Sequence, residues 1–182
     1  MKTMYVFLAE GFEEIEALAP VDVMRRAGLS VTTVSVSDSL VVKGAHGISV
    51  VADALFEALD YADAALFFLP GGLPGATNLE AHEPLRKLLI ANAAQRDVVL
   101  SAICAAPLVL GGLGLLDGKQ ATCYPGFEDT MKGAVYTAAL VTVDGNVFTA
   151  CGPAAAWELG FTFVEHFCGV EKADALRSGM QF

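Results

Sequence analysis

Short runs of apolar residues alternate along this chain with longer segments in which apolar side chains recur at helical spacing. The short runs predict buried strands, and the longer segments predict helices. Predicted strands cover residues 4–9, 29–36, 46–51, 64–69, 98–103, 119–124, 140–143 and 147–150. Predicted helices cover residues 13–27, 54–59, 83–95, 107–113, 154–167 and 171–177. This alternation predicts an α/β protein with a flavodoxin-like, doubly wound parallel sheet between two layers of helices.

The composition predicts one compact domain over residues 1–182, because 54% of the residues are hydrophobic and only 18% are charged. The formal charge of −10 argues against nucleic acid or an anionic membrane as a partner. Residues 98–116 carry no charge, but their proline and glycines argue against a membrane helix. The apolar run before Glu10 is too short for a secretory signal, so we expect a cytoplasmic protein with reduced thiols.

Cys104 lies where a predicted strand, residues 98–103, meets a predicted helix, residues 107–113. A side chain on such a turn points outward at the carboxyl end of the sheet, and the small alanines beside it suit the nucleophile-elbow geometry. The free N–H groups of the helix start favour negative charge, which predicts a lowered thiol pKa. From these residues alone, a buried and unreactive cysteine is an equally open interpretation.

Glu16 is the second candidate residue, because it follows the first strand at the same edge of the sheet. Apolar residues surround it, whereas Glu13 and Glu14 are typical first-turn carboxylates that stabilise the helix dipole. A carboxyl group in apolar surroundings has a raised pKa and can exchange a proton with a thiol or a substrate.

Two glycines follow the strand at residues 64–69, and an N–H at Gly72 is a candidate donor to developing negative charge. An ordinary turn is the alternative. The three histidines are scattered and no phosphate-binding or dinucleotide motif is present, so we expect neither a metal nor a cofactor.

Four segments together resemble the ThiJ/PfpI superfamily: EGFEEIEALAPVDVMRRAG (Glu10 to Gly28), LPGG (Leu69 to Gly72), SAICAAP (Ser101 to Pro107) and CGP (Cys151 to Pro153). The most similar branch contains the Parkinsonism-associated deglycase and bacterial YajL. The resemblance covers nearly the whole chain, and it implies the sandwich fold shared with class I glutamine amidotransferases.

The resemblance implies a role for each matching residue. Cys104 matches the reactive cysteine of the family, and Glu16 matches the glutamate that hydrogen-bonds the sulfur and shuttles protons. Gly72 and Ala105 match the backbone N–H donors, with Gly71 and Tyr124 at the same pocket. The resemblance also implies a homodimer, with the first helix and the Gly152-Pro153 region near the interface.

Three departures from family patterns narrow the expected activity. Tyr124 stands where the deglycase has a histidine, so a Cys-His dyad is not expected, although YajL also has an aromatic residue there. Ala105 replaces the histidine of protease-like members, and the downstream His-x-Glu pair of amidotransferases is missing. Hydrolysis of peptides and of glutamine are both disfavoured.

Two functional hypotheses remain from the sequence. The first is a cofactor-free enzyme that acts on small reactive carbonyls such as methylglyoxal, with Cys104 as nucleophile and Glu16 as proton carrier. The second is an oxidative-stress sensor or protective protein, in which peroxide oxidises Cys104 and no dedicated substrate exists. In that case Cys123 or Cys151 is either a resolving thiol or a buried spectator.

Overall fold

The computed structural model describes residues 2–182, and a seven-stranded sheet forms the centre of the fold. The strands of this part of the chain are β1 (Thr3–Leu8), β2 (Ser30–Ser35), β3 (Val41–Lys43), β4 (Ser49–Val51), β5 (Ala54–Leu55), β6 (Ala64–Leu69), β7 (Val99–Ile103), β8 (Gln120–Ala121), β9 (Val135–Tyr136), β10 (Val141–Asp144) and β11 (Val147–Ala150). The central sheet has the order β10-β11-β7-β6-β1-β2-β5, and the other strands form two small pairs, β3-β4 and β8-β9.

All neighbours in the central sheet are parallel except β10 and β11, which form an antiparallel hairpin at one edge. The helices are α1 (Glu14–Ala27), α2 (Gly75–Ala81), α3 (Glu83–Asn92), α4 (Pro107–Gly112), α5 (Ala156–Cys168) and α6 (Val170–Gly179). Short 3₁₀ turns lie at Phe56–Ala58, Glu128–Thr130 and Pro153–Ala155. The predicted α/β fold with a mostly parallel sheet is confirmed.

The core has two halves, one on each face of the sheet. Residues of α1 and α5 pack on one face, and residues of α2, α3 and α4 pack on the other. Phe7 and Leu8 are consecutive in β1 and fully buried, yet they belong to opposite halves, because side chains alternate along a strand. Burial on both faces explains why the strands appear in the sequence as continuous apolar runs.

One prediction about local structure was wrong, and one helix was missed. Residues 54–59 were expected to be helical, but Ala54 and Leu55 pair with β2 and only one 3₁₀ turn follows. Helix α2 was not predicted, because it contains Gly75, Thr77 and Asn78, which are weak helix formers. Pairing with the sheet edge and packing on the core override local propensity at both places.

The topology brings three chain segments together at one edge of the sheet. Strands β1, β6 and β7 are adjacent and parallel, so the residues that follow them meet at their carboxyl ends. These residues include the start of α1, the glycines at positions 71 and 72, and Cys104. Ligands bind at this edge in open α/β sheets. No helix formed by residues 2–182 has both the length and the hydrophobicity needed to cross a bilayer.

Candidate active site

Cys104 occupies the turn between β7 and α4 with a φ angle of +64°. Its N–H donates to the Ala150 carbonyl (2.9 Å), and its carbonyl accepts from the Tyr124 N–H (2.8 Å). Positive φ is unfavourable for a residue with a Cβ, so these bonds hold the turn in a strained conformation. The structure therefore places Cys104 on the strand-to-helix turn that the sequence predicted.

Cys104 is half-buried, and the backbone N–H groups of Ala105 and Gly72 lie near enough to its sulfur to oppose the rise of the thiol pKa. Gly72 comes from the loop after β6, and Ala105 is the residue after the cysteine itself. Both donors were predicted. Two preorganised N–H groups at one atom stabilise negative charge on that atom or on an oxygen bonded to it.

Glu16 projects from the first turn of α1 and is completely buried. Its Oε2 accepts a hydrogen bond from the Gly71 N–H (2.9 Å), whereas Oε1 is buried without a partner of ordinary geometry in residues 2–182. Burial raises the pKa of Glu16 to about 7, and the nearby Glu13 carboxylate adds to this effect. The Cys104 thiol is the neighbouring side chain that opposes this rise of the Glu16 pKa. The expectation of a raised pKa for Glu16 is confirmed.

The pKa of the Cys104 thiol is raised, and the prediction of a lowered value was wrong. Burial is the main cause, and the charge of the Glu16 carboxylate is the next, while the N–H groups of Ala105 and Gly72 act in the opposite direction. The repulsion exists only while Glu16 is ionised. The pair therefore loses its first proton near pH 7, and a proton that stays on Glu16 removes the repulsion that opposes a thiolate at Cys104.

Gly71, which was predicted among the pocket residues, supports the carboxyl group of Glu16. Its N–H is occupied by Glu16, and a Cβ at this position would lie 2.7 Å from the Cys104 Cβ and against Oε2 of Glu16. Gly72 has a φ of +85°, and a Cβ there would lie 2.5 Å from the Glu13 backbone nitrogen. These two glycines let three segments approach closely enough to form the site.

An open cavity of about 210 Å³ adjoins the sulfur. It is lined by Gly72, Leu73, Cys104, Ala105, Tyr124 and Phe127. Tyr124 therefore lies at the pocket as predicted, with 47% of its surface exposed. Leu73 and Phe127 were missed, although each stands near a predicted site residue in the chain. Their apolar side chains carry no chemical signature that a motif search detects.

Glu13 and Glu14 have structural roles that the sequence did not specify. Glu13 caps α1 by accepting from the Glu16 N–H (2.7 Å). Glu14 binds the loop after β3, since its carboxylate accepts from the His46 N–H (2.8 Å) and contacts His46 Nδ1 (2.8 Å). Glu13, Glu14 and His46 bring three possible metal ligands within 4.8 Å of one another. Because these atoms already cap the helix and fix the loop, we assign them no metal.

The two cysteines considered as resolving thiols, Cys123 and Cys151, lie in different parts of the fold. The Cys104 Cβ lies toward Gly71 on the β6 side of β7, whereas Cys151 follows β11 on the opposite side. Cys123 is fully buried in the half of the core opposite the half that Cys104 contacts. Whether either cysteine resolves an oxidised Cys104 stays a prediction, to be tested by mapping disulfides after mild peroxide treatment.

Known proteins are similar to this chain in sequence. The family described as DJ-1/PfpI matches residues 2–166. The DJ-1 homolog B of Arabidopsis thaliana is 38% identical over 173 residues, which are 94% of this chain and 40% of that protein. The chain thus spans less than half of the length of this relative. The glutathione-independent glyoxalase DJR-1.2 of Caenorhabditis elegans is 32% identical over 169 residues, covering 92% of this chain and 89% of that protein.

Solved structures have the same fold and a similar sequence. The oxidized DJ-1 of Toxoplasma gondii superposes with a TM-score of 0.95 at 32% identity, and the match covers 100% of this chain and 99% of that one. Sequence and structure agree over nearly the whole length, which confirms the resemblance found in the motifs. The chain belongs to the DJ-1/PfpI family.

Proposed function

We propose that this protein is a cofactor-independent, cysteine-dependent enzyme that converts small 2-oxoaldehydes such as methylglyoxal to 2-hydroxy acids. The observation that carries the proposal is an open cavity lined by a thiol and by backbone N–H donors, with a buried carboxyl group beside the thiol. These groups are the Cys104 sulfur, the N–H donors of Gly72 and Ala105, and the protonatable carboxyl of Glu16. The glyoxalase named among the relatives supports the same class of reaction.

In the first step, the proton of the thiol passes to Glu16 and the sulfur adds to the aldehyde carbon of the substrate. A carbon–sulfur bond forms, the carbonyl π bond breaks, and the new oxyanion is stabilised by the N–H groups of Gly72 and Ala105. The pKa of Glu16, about 7, suits a group that both accepts and returns a proton at neutral pH.

In the second step, Glu16 returns its proton while the hydrogen on the former aldehyde carbon moves to the neighbouring carbon. One carbon is oxidised to a thioester and the other is reduced to an alcohol, so the redox change balances within the substrate. Water then cleaves the carbon–sulfur bond, which releases the hydroxy acid and restores the thiol. Early adducts on thiols and amines dissociate to the free aldehyde and the thiol or amine, so consumption of that aldehyde at Cys104 gives a deglycase-like activity.

The test is steady production of lactate from methylglyoxal, measured for the wild type and for Cys104→Ala. We expect the activity to disappear in this variant and to persist in Cys168→Ala, which removes an exposed thiol far from the cavity. Equal lactate release by the wild type and Cys104→Ala would exclude the mechanism.

A second candidate function is oxidative-stress sensing through Cys104. Two observations support this role. The two N–H groups near the sulfur can also donate to the oxygen of a sulfenic or sulfinic acid. In addition, the structure of a relative was solved in an oxidized form. Mild peroxide should add oxygen to Cys104 first, as measured by peptide mass. Even modification of all four cysteines would contradict this role.

We also propose a homodimer, in line with the family resemblance. Ile15 and Ile48 are 51% and 58% exposed and line an apolar depression of about 370 Å³ beside α1, together with Leu18 and Trp157. A second copy that covers this face would remove the exposed apolar surface from water. A compartment in the cytoplasm remains our expectation.

A further inference from the structure

The cavity beside Cys104 has an apolar wall that the proposed reaction on methylglyoxal does not use. Leu73, Tyr124 and Phe127 form this wall, and Leu73 and Tyr124 leave about half of their surfaces exposed to solvent. The reacting groups of a 2-oxoaldehyde need only the sulfur, the two N–H donors and Glu16. The wall is therefore available to the substituent that the substrate carries on its ketone carbon.

The two aromatic rings of the wall form a corner. Their centroids are 6.5 Å apart, and their planes meet at 79°. A flat ring that stacks on one of them presents its edge to the other, and both arrangements are favourable for aromatic pairs. A methyl group offers these two rings far less contact area than an aryl ring does.

The lining carries no charged side chain. A carboxylate, phosphate or ammonium on the substituent would thus lose its water without gaining a partner, which is costly. The wall selects against charged substituents and offers contact area only to apolar ones.

We propose that the protein prefers 2-oxoaldehydes with an aryl or bulky apolar substituent over methylglyoxal, and that Tyr124 and Phe127 determine this specificity. This inference rests on the proposed function. The chemistry is unchanged: the sulfur adds to the aldehyde carbon, the redox change stays within the substrate, and water releases an aryl-substituted hydroxy acid.

The experiment compares kcat/KM for phenylglyoxal and methylglyoxal from initial rates. We expect the wild type to favour phenylglyoxal about ten-fold, the effect of one or two aromatic contacts. Tyr124→Ala and Phe127→Ala should each lower this ratio several-fold. Tyr124→Phe should retain it, because the ring and not the hydroxyl makes the contact. Tyr136→Ala is the matched control, since this exposed tyrosine lies outside the cavity and its loss should leave the ratio unchanged.

A second readout does not require turnover. Each aldehyde forms a reversible adduct with Cys104 and protects it from alkylation, so the protecting concentrations give relative affinities. This inference alone is overturned if the protein turns over methylglyoxal without preferring phenylglyoxal, or if Tyr124→Ala and Phe127→Ala leave the kcat/KM ratio of the two aldehydes unchanged. The proposed function is overturned if neither aldehyde is turned over. In that case, equal protection of Cys104 by the two aldehydes would overturn this inference as well.

Discussion

Replacing Glu16 with glutamine tests whether burial keeps this carboxyl protonated up to neutral pH. The pKa of Glu16 rises from 4.5 in the unfolded chain to about 7 in the folded protein. The folded protein holds the Glu16 proton more tightly than the unfolded chain, so ionising this carboxyl at pH 8 lowers the free energy of unfolding by about 3 kcal/mol. The stabilisation that the protonated Glu16 provides is complete below pH 4.5 and is lost as the pH rises to about 7.

The assay is urea unfolding of the wild type and Glu16→Gln at several pH values between 4.5 and 8. Glutamine keeps an acceptor for the Gly71 N–H but does not ionise. The free energy of unfolding of the variant, relative to the wild type, should therefore increase by about 3 kcal/mol over this range. Taking the difference across pH removes any constant effect of the substitution, such as imperfect packing of the amide.

Glu14→Gln provides a matched control with the opposite sign. Burial alone would raise the pKa of Glu14, but hydrogen bonds from His46 and from backbone N–H groups lower it. The stability that Glu14 contributes is present above its unfolded pKa and is lost as the pH falls, so Glu14→Gln should weaken the protein most at neutral pH. If Glu16→Gln and the wild type gave parallel curves, the carboxyl would have an ordinary pKa and the reasoning would fail.

Three further predictions concern the same edge of the sheet. Alkylation of Cys104 should accelerate as the pH rises through about 7, where the pair loses its first proton, and Glu16→Gln should lack this inflection in a rate–pH profile. Gly71→Ala should also remove the inflection, because the added Cβ displaces Glu16, and the free energy of unfolding in urea should fall by about 1–3 kcal/mol. Gly179→Ala is the control, because a Cβ at position 179 has free space around it. Ile15→Asp should sediment as a monomer at concentrations where the wild type is a dimer, and identical profiles would contradict the proposed interface.

The sequence was sufficient to predict the layers of the fold, because strands that are buried on both faces of the sheet have a recognisable apolar pattern. Strands such as β6 and β7 are continuous apolar runs, and the glycine at position 28 ends α1 in the left-handed conformation that glycine favours. Short elements were less predictable. Whether Ala54 and Leu55 pair with β2 depends on the distant β2 strand and not on their own propensity.

The candidate site was predictable in its residues but not in its electrostatics. Position on the carboxyl edge pointed to Cys104 and Glu16, and the motifs added Gly72 and Ala105. The sign of the thiol pKa depended on burial and on a charge 88 positions away in the chain, and neither can be obtained from local sequence. The acceptor of the Gly71 N–H was unpredictable for the same reason, because Glu16 approaches Gly71 only in the folded chain.

Ile15 and Glu16 are neighbours on the first turn of α1, yet one is half exposed and the other is completely buried. A backbone bond from the Glu13 N–H to the Gly71 carbonyl (2.9 Å) fastens this turn to the loop that also supplies the Gly72 donor. If the proposed dimer forms through the Ile15 face and association changes the acidity of the Glu16–Cys104 pair, linkage requires a change in that acidity to alter association by the same factor. The reactivity of Cys104 would then depend on protein concentration.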